Sequence, residues 1–190
     1  SEIVDHGSFI WTDEDWRGIN PAELILYEMH TGAFSPAGTF YDAVNRIEDL
    51  RETGINAVEV MPVAQFPGER NWGYDGVLLY APASCYGTPN DLKHLVDRAH
   101  GLGLMMFLDV VYNHFGPEGN YLGHYAPEMF HRDRTTPWGV SIDFGQPEVR
   151  RFFEENARYW LEEYRFDGLR FDALHAIADQ EWVAALPNRL

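Results

Sequence analysis

Short apolar segments and segments with helical periodicity alternate four times along this chain, and this alternation most restricts its fold. The apolar segments have the length of β-strands and occupy residues 24–30, 57–63, 104–111 and 166–175. Helices are predicted at residues 39–54, 88–103 and 147–164, with a further helix beginning within 176–190. Strands that alternate with helices form a parallel sheet, because each helix carries the chain back before the next strand. The sequence therefore predicts an α/β fold of parallel (β/α) units.

Polar residues at the ends of the predicted strands favour a closed barrel over an open sheet. Glu28 and His30 end the first strand, and Asp109 ends the third. In a (β/α)8 barrel, the C-terminal strand ends form the rim on which active sites lie. An open doubly wound sheet is the alternative, but no glycine-rich phosphate loop follows the first strand. A whole barrel has eight units in about 250 residues, so we expect strands 1–4, the first half, of a TIM-type barrel.

The chain divides into a short lead-in and a barrel portion. Residues 1–20 show no clear periodicity and are expected to be a linker from a preceding domain. Residues 21–190 are expected to form the partial barrel. Residues 114–145 are predicted to be an irregular excursion after the third strand, rich in Gly, Pro and aromatic residues. A connection of this length is uncommon unless it is functional.

One predicted strand carries opposite charges on a single face. Arg170 and Asp172 are two residues apart and project to the same side, whereas Leu169 and Phe171 project to the other. Burying a carboxylate is costly unless it is paired. The two residues are therefore either a structural ion pair or part of a site whose chemistry needs a fixed charge, and this segment alone does not decide between them.

Composition excludes several classes of partner. A formal net charge of −16 disfavours nucleic acids and anionic membrane surfaces, and it is compatible with a neutral ligand such as a sugar. No apolar run approaches the ~20 residues of a membrane span. The single cysteine, Cys85, excludes an internal disulfide and fits a reducing compartment. Because the first residues are polar and acidic rather than a signal peptide, we expect a cytoplasmic location.

Two sequence blocks together resemble a known enzyme family. They are DVVYNH at residues 109–114 and GLRFDALH at residues 168–175. These blocks resemble the first and second signature regions of the α-amylase superfamily, glycoside hydrolase family 13. The resemblance covers nearly the whole chain from Leu24 onward. It implies a (β/α)8 barrel that cleaves α-glucans with retention of configuration.

Shorter motifs point to one group within that family. The runs YEMHTGAF at 27–34, NWGYDG at 71–76, NHFGPEGNYL at 113–122, PWG at 137–139 and DALHAI at 172–177 resemble the trehalohydrolases that act on maltooligosyltrehalose. Those enzymes release trehalose by cutting an internal α-1,4 bond. Glycogen branching enzymes share the Trp-Gly-Tyr loop and both signature regions, so they are an alternative. A non-catalytic carbohydrate-binding fragment is the other alternative.

The resemblance also assigns roles to individual residues. It makes Asp172 the catalytic nucleophile, and the residues that it implies in substrate binding are Tyr74, Asp109, Asn113, His114, Arg170 and His175. A retaining glycosidase needs an ionised carboxylate to trap the oxocarbenium-like centre, and a nearby arginine favours that charged form. Tyr74 would stack on the sugar, whereas Trp72 is interpreted as a packing residue. No metal or cofactor is expected, since no cluster has zinc spacing and no EF-hand-like series is present.

Retaining hydrolysis also needs a general acid about 5–5.5 Å from the nucleophile. In the family that residue follows the fifth strand, which these residues do not include. The sequence therefore predicts part of a longer α-glucan hydrolase that is inactive by itself. Its expected partners are the remainder of the barrel and an α-1,4-glucan or maltooligosyltrehalose substrate.

Overall fold

The computed structural model describes residues 3–190; Ser1 and Glu2, which belong to the predicted lead-in, lie outside the described residues. In chain order the strands are β1 (Leu26–Met29), β2 (Ala57–Val60), β3 (Ala64–Gln65), β4 (Leu78–Pro82), β5 (Met105–Val110), β6 (Phe130–Thr136), β7 (Gly139–Ile142) and β8 (Gly168–Phe171). The α-helices are α1 (Thr31–Phe34), α2 (Phe40–Val44), α3 (Ile47–Glu52), α4 (Pro89–Gly101), α5 (Leu122–Tyr125), α6 (Pro147–Glu162) and α7 (Gln180–Ala185).

The main sheet is parallel and has the strand order β1-β2-β5-β8. Its outer face is covered by helices and forms the core, where Val58, Val60, Met106 and Leu108 are at most 1% exposed. Side chains at the alternate positions lie on the opposite face, and Leu26 there is 50% exposed. The predicted parallel sheet of (β/α) units is confirmed.

The two long helices form where the sequence signals predict them. The Thr88 side chain accepts a hydrogen bond from the backbone of Asp91, and the Asp91 carboxylate accepts one from the backbone of Thr88, which makes a capping box at the start of α4. Helix α6 buries Phe153, Ala157 and Trp160 along one face. No helix within residues 3–190 is both long and apolar enough to cross a membrane.

The single helix predicted at residues 39–54 is wrong, because the chain forms the two short helices α2 and α3 there. Between them, the amides of Asn45 and Arg46 bond to carbonyls only three residues back, at 3.2 and 3.0 Å. The Asn45 amide side chain also donates to the carbonyl of Tyr41 at 3.4 Å. Asparagine offers the backbone such local alternatives to a regular helix.

The excursion at residues 114–145 is less irregular than predicted. It contains α5 and an antiparallel hairpin in which β6 pairs with β7, from Phe130 opposite Ile142 to Thr136 opposite Gly139. Strand β6 buries none of its residues. No alternation of buried and exposed positions therefore marks it in the sequence.

The fourth strand of the parallel sheet is shorter than the predicted 166–175. It ends at Phe171, and Ala173 adopts a left-handed backbone with φ +45°. Because of this reversal, His175 lies in a 3₁₀ turn, Leu174–Ala176, and not on the strand. Asp172 directly follows the strand end, in line with Arg170 as expected.

The described part of the lead-in packs against the N-terminal side of the sheet. His100 of α4 is held between two carboxylates, with its Nδ1 2.6 Å from Asp13 and its Nε2 3.1 Å from Asp167. Trp16 donates to the other oxygen of Asp167 at 2.7 Å and stacks on the His100 ring. Since both ring nitrogens face carboxylate oxygens, the imidazole is doubly protonated in this arrangement.

Candidate active site

Three charged side chains meet at the C-terminal ends of β5 and β8. Asp109 and Arg170 are opposite each other in the strand register, and Asp172 follows β8. Nη1 of Arg170 donates to Oδ2 of Asp109 at 2.7 Å and to Oδ1 of Asp172 at 2.8 Å. The Asp109 side chain is fully buried, whereas that of Asp172 is 22% exposed. One guanidinium therefore fixes two carboxylates, of which only Asp172 is open to a ligand.

Tyr74 reaches the same cluster from the loop between β3 and β4. Its hydroxyl donates to Oδ2 of Asp109 at 3.0 Å. The loop is held by Gly73, whose φ is +102° and where an added Cβ would lie 2.1 Å from the Pro62 carbonyl oxygen. Gly116 makes a similarly close approach to the Asp75 carbonyl. Only glycine permits these contacts, so the Tyr74 ring has a fixed place beside the charges.

Burial and hydrogen bonding shift the pKa values of three groups in this cluster. Burial raises the pKa of Asp109 to about 6, although the hydrogen bonds from Arg170 and Tyr74 favour its ionised form. Burial, with the Asp109 charge beside it, also raises the pKa of the Tyr74 hydroxyl. The hydrogen bond to Asp109 raises the pKa of Arg170. Tyr74 and Arg170 therefore remain donors at neutral pH.

His114 lies beneath the Tyr74 loop. Its Nε2 is 2.8 Å from the Tyr74 carbonyl oxygen, which can only accept, so Nε2 carries the proton. The imidazole also stacks on Trp138, with ring centroids 5.5 Å apart. The structure thus uses His114 to position the loop as well as to line the site.

Several buried polar atoms at this rim have no partner within residues 3–190. They are Oδ1 of Asp109, both side-chain polar atoms of Asn113, and Nδ1 of His114. Asn113 is only 2% exposed. Buried polar groups are nearly always hydrogen-bonded, so a cluster of unpaired ones marks a place that calls for explanation.

A cavity of about 550 Å³ opens beside His114, between residues 114–127 and the β6–β7 hairpin. Trp138, Arg132 and His124 are among the residues that line it. Sequence reasoning used Trp138 only as part of a motif and assigned it no role. Its 44% exposure on the cavity wall makes Trp138 a candidate for ligand contact, and exposure cannot be determined from the sequence.

His175 and Trp72 are both exposed at this edge of the described residues, and His175 lies beyond the strand on which the sequence placed it. His175 is exposed in its 3₁₀ turn, outside the hydrogen-bonded cluster of Arg170. Trp72, interpreted from the sequence as a packing residue, is 69% exposed and has a ring contact with His30, with centroids 5.3 Å apart. Hydrogen bonds of Asn71 with His30, Gly73 and Asp75 brace the backbone of its loop.

The arrangement can supply one carboxylate nucleophile. Asp172 is partly exposed and oriented by Arg170, as a group that attacks a sugar must be. Asp109 cannot act as the second carboxyl group, because it is fully buried and its Oδ2 already accepts two hydrogen bonds. No group of three or more His, Cys, Asp or Glu side chains within residues 3–190 is placed to hold a metal ion.

The fold and this site define an α-amylase-type glycoside hydrolase domain. The family model of the alpha amylase catalytic domain matches residues 8–138, and the chain belongs to that family. Its four parallel strands are the first half of the family's (β/α)8 barrel, as expected from the sequence.

Two curated relatives and one solved structure show which members of the family this chain is similar to. The malto-oligosyltrehalose trehalohydrolase of Deinococcus radiodurans is 52% identical over 179 residues, which cover 94% of this chain and 30% of that protein. The 1,4-alpha-glucan branching enzyme of Picrophilus torridus is 40% identical over 186 residues, 90% of this chain and 26% of that protein. A crystal structure of a putative alpha amylase from Salmonella typhimurium superimposes with a TM-score of 0.92 and 55% identity, over 93% of this chain and 30% of that one. The chain thus spans about 30% of the length of such relatives.

Proposed function

We propose that this chain is the nucleophile-bearing part of a retaining hydrolase that releases trehalose from maltooligosyltrehalose by cutting an α-1,4-glucosidic bond. The observation that carries the proposal is Arg170, which fixes the partly exposed Asp172 beside the buried Asp109 at the sheet rim. The 52% identity to a malto-oligosyltrehalose trehalohydrolase supports the substrate.

In the proposed reaction, Asp172 attacks the anomeric carbon while the bond to the glycosidic oxygen breaks. The resulting glycosyl-enzyme is then hydrolysed by water. Arg170 holds the attacking carboxylate in place, and the Tyr74 ring covers the apolar face of the sugar. Asn113 and His114 are proposed to contact sugar hydroxyls, and His175 is proposed to contact the substrate on the leaving-group side. The unpaired polar atoms of Asn113 and His114 support this, because a bound sugar would satisfy them.

The general acid is not among the groups that surround Asp172 in this structure. We therefore propose that it lies, with the other four (β/α) units, in sequence outside these 190 residues, and that the chain alone does not hydrolyse glucans. Residues 3–20 then serve as the lead-in to a barrel portion at 21–190. We also propose a cytoplasmic protein without nucleic-acid partners, which the net charge of −16 and the free Cys85 support.

The decisive experiment replaces Asp172 by Asn in the longer protein and measures trehalose release from maltooligosyltrehalose. We expect kcat to fall by more than about 1,000-fold, equivalent to roughly 4 kcal/mol of barrier. Asp15→Asn, an exposed carboxylate of the lead-in, is the control and should leave kcat unchanged. A loss below about tenfold for Asp172→Asn would contradict a nucleophile. Trehalose release by the 190-residue chain alone would show that the acid lies within it.

A branching enzyme is the second candidate, supported by the 40% identity to the Picrophilus torridus enzyme. The two activities differ in their products. Trehalose formation by the longer protein favours the hydrolase, and new α-1,6 branch points in a linear α-glucan favour the transferase.

A further inference from the structure

Residues 6–16 of the lead-in cover one face of helix α4, and we call this segment the strap. Lys93, Asp97 and His100 lie on that face, because positions three and four residues apart are neighbours on a helix. No residue of the strap is buried as a whole. Beneath it, however, Lys93 is 0% exposed and the His100 side chain is 1% exposed. The strap therefore shields two ionisable groups of α4 from water.

Lys93 is the only lysine of the chain, and the strap surrounds its ammonium group. Its Nζ donates to the carbonyl of His6 at 3.3 Å. The ring centroids of Phe9, Trp11 and Tyr164 lie 5.6, 5.8 and 5.7 Å from Nζ. Aromatic faces attract a cation at such distances. Two of the three rings belong to the strap, so its removal would return the ammonium group to solvent.

Asp13 is the strap residue that meets His100. Its Oδ2 lies 2.6 Å from Nδ1 of His100, and its side chain is only 3% exposed. Nε2 of the same imidazole faces Oδ2 of Asp167 at 3.1 Å. Arg165 pairs with Asp13, and the strap carboxylate of Glu14 lines the cavity beside the imidazole. The charged groups around His100 thus come from the strap and from the segment before β8.

Two further contacts fasten the strap. Asp97 accepts hydrogen bonds from the amide and the hydroxyl of Thr12, at 2.7 and 2.8 Å. Arg165 has a left-handed backbone, with φ +54°, and its guanidinium lies 4.7 Å from the Trp11 ring centroid. A residue with a Cβ keeps such a conformation only where its surroundings hold it. The side chain of Arg165 is held by the strap residues Trp11 and Asp13.

The contacts of His100 require a proton on each ring nitrogen, because each nitrogen faces an acceptor oxygen. Loss of one proton leaves two carboxylates at a neutral ring in a buried place, which is unfavourable. Asp167 remains bonded to the amide of Met106 at 2.7 Å, whereas Asp13 regains water when the strap leaves. Burial lowers the pKa of His100, but the hydrogen bonds and charges of both carboxylates outweigh it and leave the pKa raised. The docked strap is therefore favoured below pH ~6.5, and this contribution is lost as the pH rises through the raised value.

We propose that residues 6–16 form a proton-controlled strap, which protonated His100 docks on α4 and which is released as a unit above neutral pH, exposing Lys93. The barrel portion keeps its fold on release, because the buried residues of the hydrophobic core begin at Met29. The strap lies at the N-terminal side of the sheet, whereas Asp172 lies at the C-terminal end. The proposal is therefore independent of the proposed function.

The test is acetylation of Lys93 in the full chain by an N-hydroxysuccinimide ester, followed by mass spectrometry between pH 6 and pH 9. At each pH the rate in the urea-unfolded chain is divided by the rate in the folded chain. This protection factor removes the pH dependence of the reagent. We expect it to fall more than tenfold between pH 6 and pH 9 in the wild type, because one proton changes an equilibrium constant by up to tenfold per pH unit. Circular dichroism should show that the helices are retained.

Two variants and a matched control assign the pH dependence. In His100→Gln and in Asp13→Asn, protection at pH 6 should be about tenfold lower than in the wild type, and the fall toward pH 9 should disappear. Asp15→Asn removes an exposed carboxylate of the same segment and should behave as the wild type does. Lys93 titrates in every variant, so a pH dependence that is lost in His100→Gln belongs to the imidazole.

Three results would overturn the proposal. Equal protection of Lys93 at pH 6 and pH 9 in the wild type would show that no proton controls the strap. A pH dependence that persists in His100→Gln would assign it to another group. Loss of protection only together with the circular dichroism signal would show that residues 6–16 unfold with the barrel portion. The first and third results need the wild type alone, so they decide the matter even where a variant does not fold.

Discussion

Replacing Arg170 by Met tests whether this guanidinium keeps Asp109 charged in the interior. The Asp109 side chain is fully buried, and its Oδ2 accepts from Arg170 at 2.7 Å and from Tyr74 at 3.0 Å. Without Arg170, only a neutral hydroxyl stabilises the carboxylate. The carboxyl group then avoids an unpaired charge by keeping its proton, so the cost of the substitution depends on pH.

The size of the stability loss in Arg170→Met follows from the pKa of Asp109, which burial raises from 3.8 to about 6 in the folded chain. A raised pKa means that this group favours folding fully below pH 3.8 and that the contribution is lost as the pH rises through 6. In Arg170→Met, Asp109 keeps its proton above pH 6 while the wild type releases it. Each pH unit above 6 therefore lowers the free energy of unfolding of the variant, relative to the wild type, by at most about 1.4 kcal/mol. The extra loss is then near zero at pH 5 and up to about 2.8 kcal/mol at pH 8. The half-exposed contact with Asp172 adds at most about 1 kcal/mol at either pH.

The assay is urea unfolding of the full chain at pH 5 and at pH 8, followed by circular dichroism. Arg46→Met is the control, because Arg46 and its partner Asp49 are 49% and 59% exposed, and we expect a change below about 0.5 kcal/mol at both pH values. An equal loss of stability at pH 5 and pH 8 in Arg170→Met would refute the assignment of Asp109 as the titrating partner.

Two further predictions concern the supports of the site. Gly73→Ala should lower the free energy of unfolding in urea by more than about 2 kcal/mol, because it adds a clash with Pro62 to the strain of φ +102°. Gly54→Ala is the control and should cost only about 1 kcal/mol, because Gly54 has φ +93° but open space around it. Equal costs for the two variants would show that the close approach to Pro62 is unimportant. Burial lowers the pKa of His100, but the hydrogen bonds and charges of its two carboxylate partners outweigh it and leave the pKa raised. The stability from this ion pair is thus full below pH ~6.5 and lost as the pH rises through the raised value. His100→Gln should therefore flatten the fall in unfolding free energy between pH 6 and pH 9, and the exposed His94→Gln of the same helix should not; a slope that persists in His100→Gln would place its origin elsewhere.

The architecture of the sheet and the common face of Arg170 and Asp172 could be predicted from the sequence. Alternating strand and helix signals are local properties, and they located the four parallel strands and the capped helix α4. Arg170 and Asp172 are two residues apart, which matches the strand repeat, so their common face follows from sequence spacing. The resemblance of the two blocks to the family predicted that Asp109 and His114 lie at the same rim.

How these residues meet, and which of them face solvent, depends on tertiary packing. The burial of Asp109, and with it the pKa of about 6, results from packing between strands 61 residues apart. The course of the backbone next to Trp72 likewise depends on hydrogen bonds of Asn71 with His30 and Tyr86, which are distant in the sequence. Hydrophobic periodicity describes neighbours along the chain, whereas burial is a property of neighbours in space. For that reason the sequence could not indicate that Trp72 is 69% exposed in the structure.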